Sequence, residues 1–314
     1  LDGACRIGKL LARCEELGQT AVAVTDHGNM FGAVEFFKAA KAAGIKPIIG
    51  CEAYVAPRTM SDKQKSDENS QHLVLLCKNE TGYQNLIYMI SKGWMEGFYN
   101  RPRIDKEKIK EHAEGLVALS ACMFGEIAAK LRQNDFTGAL EAAMWYKSVF
   151  GEDYYLEMQD QGIADQKGIN AGIMKIAKRL GIKLVATNDV HYVDKSDARS
   201  QQILVCIQTN TNVNDPTAME FPTKEFYLKS ETEMAERFAF APEAVSNTLE
   251  VAEKCNFEFE FGRIKLPHFE VSEGYTHFEY LKKLSQEGLA KRYGQNRAEA
   301  QKRLDYELET IENM

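Results

Sequence analysis

The chain has 314 residues, of which 44% are hydrophobic and 27% charged, and its net charge at pH 7 is −7. Such a composition is typical of a globular protein with one large core, or one core and an appendage. No apolar run approaches the ~20 residues of a membrane helix, which argues against a membrane protein. The negative charge argues against a simple basic DNA-binding module, but not against an enzyme that contacts phosphate through bound metal ions.

Seven cysteines are scattered along the sequence without CxxC spacing, and their number is odd. This pattern predicts neither a disulfide framework nor a zinc knuckle, and it favours a reducing, cytoplasmic location. The first residues, LDGACRIGKL, lack the charged start and apolar centre of a secretory signal. They also lack an initiator Met, so we expect the printed chain to be a fragment of a longer protein.

Short apolar runs alternate with amphipathic segments along the first two thirds of the chain. The runs predict strands at 21–25, 46–55, 72–78, 115–120, 154–159 and 183–188, and the segments predict helices at 30–44, 81–94, 136–151 and 164–181. Gly44, Gly151 and Gly181 are placed as helix C-caps. The alternation predicts a parallel sheet covered by helices, either a barrel or an open sheet. No GxGxxG or GxxxxGK[ST] motif follows a run, so a nucleotide-binding sheet is not supported.

Two polar segments interrupt this pattern. Residues 57–71 are predicted to form a solvated loop, and the polar stretch around 261–276 is predicted to end the first domain. After it, two segments have helical periodicity, and the second reaches Met314 without a capping residue or glycine. We predict a first domain at 1–262, a linker at 263–276 and the beginning of a further domain at 277–314.

Potential metal ligands follow the predicted strands. In parallel α/β folds the carboxyl ends of the strands converge on one face, where catalytic residues collect. Zn²⁺ and its first-row neighbours bind mixtures of imidazole, carboxylate and thiol, and several ions held together can bridge a phosphate and activate water. We therefore predict a metal site from residues at the ends of these runs: Asp26 and His27, Glu52, Cys122, Glu157 and Asp160, and Asp189 and His191.

Several of these residues also have a simpler structural interpretation. The stretch from Asp26 to Asn29 could cap a helix that begins near Met30. Glu52 could pair with a surface lysine, or its strand could be an edge strand. His72 opens its run instead of closing it, so it fits the metal-site pattern least and is typical of a structural histidine.

Cys122 and the residues near 190 leave further alternatives open. A lone Cys122 is typical of a small buried apolar residue. A Cys122 nucleophile with His191 as its base is also conceivable, but it leaves His27 and three acids without a role. Asp189 and His191 face the same side of an extended chain, which favours a shared target.

Four stretches of the sequence resemble a known family. They are AVTDHGNMFGAVEFFKAAKAAGIKPIIGCEAYVAP, HLVLLCKNETGYQNLIYMIS, GLVALSACMFGEI and ATNDVHYV. They are similar to the PHP (polymerase and histidinol phosphatase) domain, in the version at the amino end of bacterial DNA polymerase III alpha subunits. The resemblance covers nearly the whole chain, and RLDYELETIENM resembles the family's entry into the palm region.

The resemblance implies an α/β fold, a distorted TIM-like (β/α)7 PHP barrel, with a trinuclear centre of divalent ions, Zn²⁺ or Mn²⁺, at the carboxyl ends of its strands. Matched motif by motif, it implies seven metal ligands: Asp2, His27, Glu52, His72, Cys122, Asp189 and His191. The roles of Asp2 and His72 rest on the resemblance alone. The family's HxH pair stands a few residues before LDGA, so two histidine ligands and the first barrel strand are expected to be missing from the printed sequence.

The resemblance also implies a role in DNA replication. The family's polymerase adds nucleotides to a primer end, and its PHP domain can act as a metal-dependent 3′–5′ proofreading exonuclease. The expected partners are DNA, the other holoenzyme subunits and a separate proofreading exonuclease, with no membrane involved. Residues 277–314 would begin the polymerase region, whose catalytic aspartates are not in the sequence, so the printed chain is not expected to make DNA itself.

Two alternatives stand beside this reading. The barrel could be a non-catalytic support and docking surface for the polymerase, or the chain could be a stand-alone PHP phosphoesterase acting on a small phosphate ester. A basic stretch, NRPRIDKEKIK at 100–110, could contact a phosphate backbone through Arg101 and Arg103, although a solvated loop and helix start is the favoured interpretation.

Overall fold

The computed structural model describes residues 2–264, 266–294 and 297–314, which form two compact units, Leu1–Phe259 and Glu260–Met314. The first unit is built on one curled sheet of eight strands. These are β1 (Ala21–Val24), β2 (Lys46–Val55), β3 (Gln71–Cys77), β4 (Phe98–Tyr99), β5 (Arg101–Ile104), β6 (Leu116–Leu119), β7 (Tyr154–Gln159) and β8 (Lys183–Thr187). Their order is β4-β5-β2-β3-β6-β7-β8, and β1 pairs with the first half of β2.

Helices cover this sheet. They are α1 (Ile7–Glu16), α2 (Ala33–Ala42), α3 (Glu80–Met95), α4 (Lys106–Glu111), α5 (Glu126–Arg132), α6 (Phe136–Phe150), α7 (Ala164–Leu180), α8 (Ala198–Thr209), α9 (Glu231–Arg237) and α10 (Pro242–Lys254). The four predicted helices correspond to α2, α3, α6 and α7, and Gly181 ends α7 in the left-handed conformation expected of a C-cap. Within the described residues, no helix is long and apolar enough to cross a bilayer.

The sheet is mixed rather than parallel, because β3 runs antiparallel to both β2 and β6. The other long pairs, β1–β2, β6–β7 and β7–β8, are parallel as predicted. A parallel crossover usually needs a helix, and the segment between β2 and β3 contains only a short 3₁₀ turn at Lys65–Asp67. As a result, His72 at the start of β3 lies opposite Tyr54 near the end of β2.

Alternation along the strands gives the sheet two different faces. The outer face packs beneath the helices in the main core, through side chains such as Ile49, Cys51, Val55, Leu75, Ala118, Leu156 and Leu184. The inner face carries a second apolar cluster that includes Ile48, Val74, Leu76, Leu119, Tyr155 and Val185, together with Val251 of α10. Continuing along this inner face towards one edge of the sheet, the next positions are Glu52, Tyr54, His72 and Glu157.

The loop between β2 and β3, predicted as solvated, is organised by buried charges. Asp67 is almost fully buried and accepts two hydrogen bonds from the Arg58 guanidinium, at 2.9 and 2.8 Å. Arg103 is also fully buried, and it donates to four carbonyl oxygens: those of Gly97, Asp67, Met60 and Asp62. Arg103 is therefore unavailable to a phosphate, and that part of the phosphate-contact interpretation is wrong.

The second unit contains α11 (His277–Tyr293) and α12 (Ala298–Glu312). A capping box of Thr276 and Glu279 begins α11, as its sequence favours. The predicted linker at 263–276 and the assignment of 277–314 to a polymerase region stay predictions.

Candidate metal centre

Side chains from six parts of the chain meet at one edge of the sheet. Asp2 precedes α1 and His27 follows β1, whereas Glu52 lies within β2 and His72 at the start of β3. Cys122 follows β6, and Asp189 and His191 follow β8. The structure therefore brings together most of the residues that the sequence placed at strand ends, and it explains the position of His72: the amino end of an antiparallel strand lies beside the carboxyl ends of its neighbours.

His27 is held by an extension of the β1–β2 pairing. His27 and Glu52 form an isolated parallel bridge, in which the Glu52 amide donates to the Asp26 carbonyl (3.1 Å) and the Gly28 amide donates to the Glu52 carbonyl (2.9 Å). Asp26 does not cap a helix, because α2 begins after Gly32 and has no side-chain cap. The capping interpretation of Asp26 is therefore wrong.

Glu52, His72 and Cys122 form the deeper of two groups of potential ligands. The Cys122 thiol lies 3.5 Å from Nδ1 of His72 and 3.9 Å from Oε1 of Glu52, and His72 is hydrogen-bonded to Glu52. The Glu52 side chain is only 6% exposed. A buried carboxylate of this kind needs a cation or a hydrogen-bond donor beside it.

Asp2, His27 and His191 form the second group, nearer to the surface. Nε2 of His27 lies 3.1 Å from Oδ2 of Asp2, whose side chain is 45% exposed. The segment that carries Asp2 is fixed to the loop after β8, because the Ala4 amide donates to the His191 carbonyl (2.6 Å) and Gln201 donates to the Asp2 carbonyl (2.8 Å).

His27 connects the two groups. Its Nδ1 atom lies 3.7 Å from Oε2 of Glu52, and its ring centre is 5.9 Å from that of His72 and 6.0 Å from that of His191. This Nδ1 atom is buried, and within the described residues it has no hydrogen-bond partner. An imidazole nitrogen without a donor or acceptor, directed at a buried carboxylate, is a suitable position for a cation.

The electrostatics show how strongly these groups interact. Burial disfavours charge on His27, but its hydrogen bond to Asp2 and the negative charge of Glu52 raise its pKa to about 9. Burial also opposes ionisation of Glu52, yet the hydrogen bond to His72 holds the pKa of Glu52 below its usual range. Burial and two nearby carboxylates raise the pKa of the Cys122 thiol. Binding of a cation here must release protons and is therefore expected to strengthen as the pH rises.

The donor atoms fit divalent metal ions. In each group the three ligand atoms lie within 4.8 Å of one another. This spacing is close to that of two donors bound to one ion, which are about 3 to 4 Å apart when metal–ligand bonds are roughly 2.0 to 2.3 Å. One group offers a carboxylate and two imidazoles, and the other offers a carboxylate, an imidazole and a thiolate. These sets suit Zn²⁺ and its first-row neighbours.

Asp189 borders both groups without belonging to either. Nδ1 of His191 lies 2.8 Å from the Asp189 carbonyl oxygen and 3.8 Å from its carboxylate. Burial and the charge of Glu52 raise the pKa of Asp189. Its backbone is left-handed, with φ of 49°, as is that of Ala121 beside Cys122, at 62°. Such conformations in residues other than glycine often mark functional sites.

Asp160 and Glu157, which the sequence also predicted for the metal site, lie outside the two ligand groups. Asp160 accepts a hydrogen bond from the Gly162 amide within its own turn (2.9 Å) and is not brought to either group. Glu157 lies on the inner face, where Gln159 and Thr187 hydrogen-bond one carboxylate oxygen and the other has no partner among the described residues. Burial raises the pKa of Glu157 to about 7.

The close packing around Gly125 yields a testable prediction. A Cβ atom at Gly125 would lie 2.1 Å from the Ser120 carbonyl oxygen, and Gly125 forms a bridge with His72 while donating to the Cys122 carbonyl. Gly125→Ala is expected to lower the free energy of unfolding by about 1–3 kcal/mol and to weaken metal binding. The matched control is Gly168→Ala in α7, where nothing lies within 4 Å and about 0.5–1 kcal/mol of stabilisation is expected. Equal stability of the two variants in urea unfolding would contradict this packing.

Comparison with known proteins agrees with this geometry. The family model for the PHP domain matches residues 1–161, just over half of the chain. The DNA polymerase III subunit alpha of Borreliella burgdorferi is 44% identical over 100% of this chain, and that of Treponema pallidum is 43% identical over 100%. This chain spans only 28% and 27% of those relatives, just over a quarter of their length.

Solved structures give more distant matches. An amidohydrolase from Chromobacterium violaceum aligns with 61% of this chain and 84% of its own, at 14% identity and a TM-score of 0.38. That likeness is too low to support an argument. The match to the family model, together with the ligand groups at the edge of the sheet, shows that the chain belongs to the PHP domain family.

Proposed function

We propose that this chain is the PHP part of a bacterial replicative DNA polymerase alpha subunit, and that its metal centre removes nucleotides from the 3′ end of a DNA strand. The observation that carries the proposal is the pair of ligand groups joined through His27 and Glu52. Two or more closely spaced ions can together stabilise the attacking and the leaving oxygen when a phosphodiester is hydrolysed. The relatives that align with the whole chain support DNA as the substrate.

Membership of the PHP family implies divalent metal binding. We propose a trinuclear centre of Zn²⁺ or Mn²⁺, held by the seven residues that the family resemblance indicates: Asp2, His27, Glu52, His72, Cys122, Asp189 and His191. Such ions, when bound, neutralise the charge of a phosphodiester, supply a nucleophilic hydroxide and stabilise the leaving oxygen.

The chain itself orients the imidazole rings of the site and places the ligand groups at different depths below the surface. The Tyr54 ring lies against the rings of His27 and His72, at 6.2 and 5.2 Å between centres, and so restricts both imidazoles. Burial increases from Asp2 at the mouth to Glu52 in the interior. A phosphate entering from the surface would meet the Asp2 group first. The Glu52 group stays screened from bulk water, and electrostatic interactions are stronger in such a screened environment than in water.

The activity of the whole protein follows as a proposal from the same relatives. It would synthesise DNA in the cytoplasm, in contact with DNA and with other subunits of the replicative polymerase, one of which could be a separate proofreading exonuclease. In that arrangement the PHP centre would act on primer ends that the polymerase cannot extend.

Excision of a mismatched primer end tests the proposal. Full-length protein is given a labelled primer with a mismatched 3′ nucleotide, without deoxynucleoside triphosphates, in Zn²⁺, in Mn²⁺ or in chelator. We expect shortening of the primer in the presence of either metal and none in chelator. A mismatched end that is removed no faster with metal than with chelator rules out proofreading by this centre.

A further inference from the structure

Most of the exposed Phe and Trp side chains of the first unit lie around the metal centre. Five Phe and Trp residues are exposed among its described residues, and four belong to segments that flank the site: Phe31, Trp94, Phe98 and Phe124. Phe31 follows His27 by four residues and is 85% exposed, and the Phe124 ring lies 5.6 Å from the His72 ring. Large apolar side chains left exposed around a polar site are typical of a ligand-binding surface.

Trp94 and Phe98 are fixed to the segment that carries His27. The Trp94 indole donates a hydrogen bond to the Gly28 carbonyl at 2.8 Å, directly beside His27. The Phe98 ring stacks against the Trp94 indole at 5.6 Å with an interplanar angle of 23°. Both side chains remain 45% exposed, so the two rings present ordered aromatic surface to solvent next to the metal centre.

Arg101 adds a positive charge to the same region. It lies in β5, and its guanidinium is 5.5 Å from the centre of the Tyr54 ring, which in turn contacts His27 and His72. Arg101 is exposed, and within the described part of the chain its guanidinium forms no ion pair. Of the two arginines that the sequence offered for phosphate contact, this is the one at the surface.

We propose that Trp94, Phe98 and Arg101 form a stacking wall that binds the unpaired 3′ end of a single DNA strand and directs it into the metal centre. Aromatic rings stack on the faces of unpaired bases with little dependence on sequence. The guanidinium of Arg101 would contact a backbone phosphate. This inference rests on the proposed exonuclease function, because it supplies that function's substrate-binding surface.

The charge of the chain favours stacking over electrostatic binding. At −7 the chain has no broad positive field with which to hold a duplex along its backbone. Affinity for a strand end near this site would therefore come mainly from the exposed rings. In a paired end the bases are already stacked on their neighbours, whereas a mismatched end frays and offers its bases to the wall. The wall would thus select the ends that proofreading has to remove.

The test uses full-length protein and an oligothymidylate with 2-aminopurine at its 3′ end, in chelator so that no cleavage occurs. Stacking of 2-aminopurine on an aromatic ring quenches its fluorescence. Trp94→Ala and Phe98→Leu are each expected to weaken binding about 5- to 100-fold and to reduce the quenching. Trp94→Phe, which keeps a ring but not the hydrogen bond to Gly28, is expected to retain most of both.

The effect of Arg101→Ala is measured differently, as a change in how strongly the affinity for the oligonucleotide depends on salt concentration. Loss of one phosphate contact reduces the slope of log affinity against log salt concentration by about 0.7 for a single strand, whereas Trp94→Ala leaves that slope unchanged. The matched controls are Tyr88→Ala, an equally exposed aromatic residue earlier in α3, and Arg179→Ala, an exposed arginine at the carboxyl end of α7. Neither control is expected to alter quenching or affinity.

The outcomes separate this inference from the proposed function. If the wall variants lose quenching while the wild-type protein shows no metal-dependent excision, the wall stands and the exonuclease proposal fails. If excision is observed but Trp94→Ala and Phe98→Leu bind the oligonucleotide like wild type, with melting temperatures showing that they are folded, the wall is overturned. Weakened assembly with another protein, together with unchanged quenching, would overturn it too.

Discussion

Replacing Asp189 by Asn in the full-length protein is expected to slow metal-dependent removal of a mismatched 3′ nucleotide by about 10- to 100-fold. The substitution preserves the shape of the side chain but removes a buried negative charge that lies beside His191. Because Asp189 already shares its surroundings with the Glu52 carboxylate, which helps to raise its pKa, the metal-free protein is expected to be as stable as wild type or more stable.

These two readouts distinguish catalysis from a supporting role. If the metals only stabilise the barrel, Asp189→Asn lowers the melting temperature of the metal-loaded protein and leaves excision unchanged. If the centre is catalytic, excision falls while the melting temperature in chelator does not. Glu141→Gln, which changes an exposed carboxylate in α6, is the control and is expected to alter neither quantity.

The second large effect is expected at Arg103. Its guanidinium is fully buried and donates to four backbone carbonyl oxygens, at distances from 2.8 to 3.2 Å. Arg103→Ala leaves these buried acceptors without donors, so the free energy of unfolding is expected to fall by about 3–5 kcal/mol. Urea unfolding of the purified protein measures this change.

The matched substitution for Arg103 is Arg179→Ala, which removes an exposed arginine from the end of α7. It is expected to cost less than about 1 kcal/mol. Arg103→Lys is expected to resemble Arg103→Ala more than wild type, because an ammonium group cannot reproduce the planar set of donors. If Arg103→Ala unfolds at the same urea concentration as Arg179→Ala, the buried network does not hold the loop between β2 and β3.

Much of the fold could be predicted from the period of the apolar residues. The runs that gave β2 and β7 match those strands residue for residue, because both are buried along nearly their whole length. The rule that catalytic residues collect at strand ends also predicted that His27, Cys122 and His191 would lie together. It worked because β1, β6, β7 and β8 share one direction: β1 is parallel to β2, the other three are parallel to each other, and β3 is antiparallel to both β2 and β6.

His72 shows where that reasoning reached its limit. Its role rested on resemblance alone, because a residue that opens a strand should lie at the opposite edge of a parallel sheet. The absence of a helical pattern between 56 and 70 was the available signal that β3 reverses direction. The short hairpin of β4 and β5 was missed as well, since two strands of two and four residues are too short to show a period.

Arg103 and Asp67 could not be located from sequence for a different reason. Both stand in stretches dominated by charged and polar residues, which resemble solvated loops. Their burial depends on contacts between positions 36 residues apart in the chain, and local periodicity contains no information about such contacts. The same limit applies to Trp94, whose helix was predicted but whose hydrogen bond to Gly28 joins residues 66 positions apart.

The metal content of the full-length protein tests the central claim most directly, namely that distant side chains share one cluster of divalent ions. Elemental analysis of protein purified without chelator is expected to find more than one bound divalent ion per chain. His27→Ala should lose more metal than Cys122→Ala, because His27 lies between both ligand groups. Folded protein that binds no such ions, or that keeps its full complement in both variants, would contradict the account.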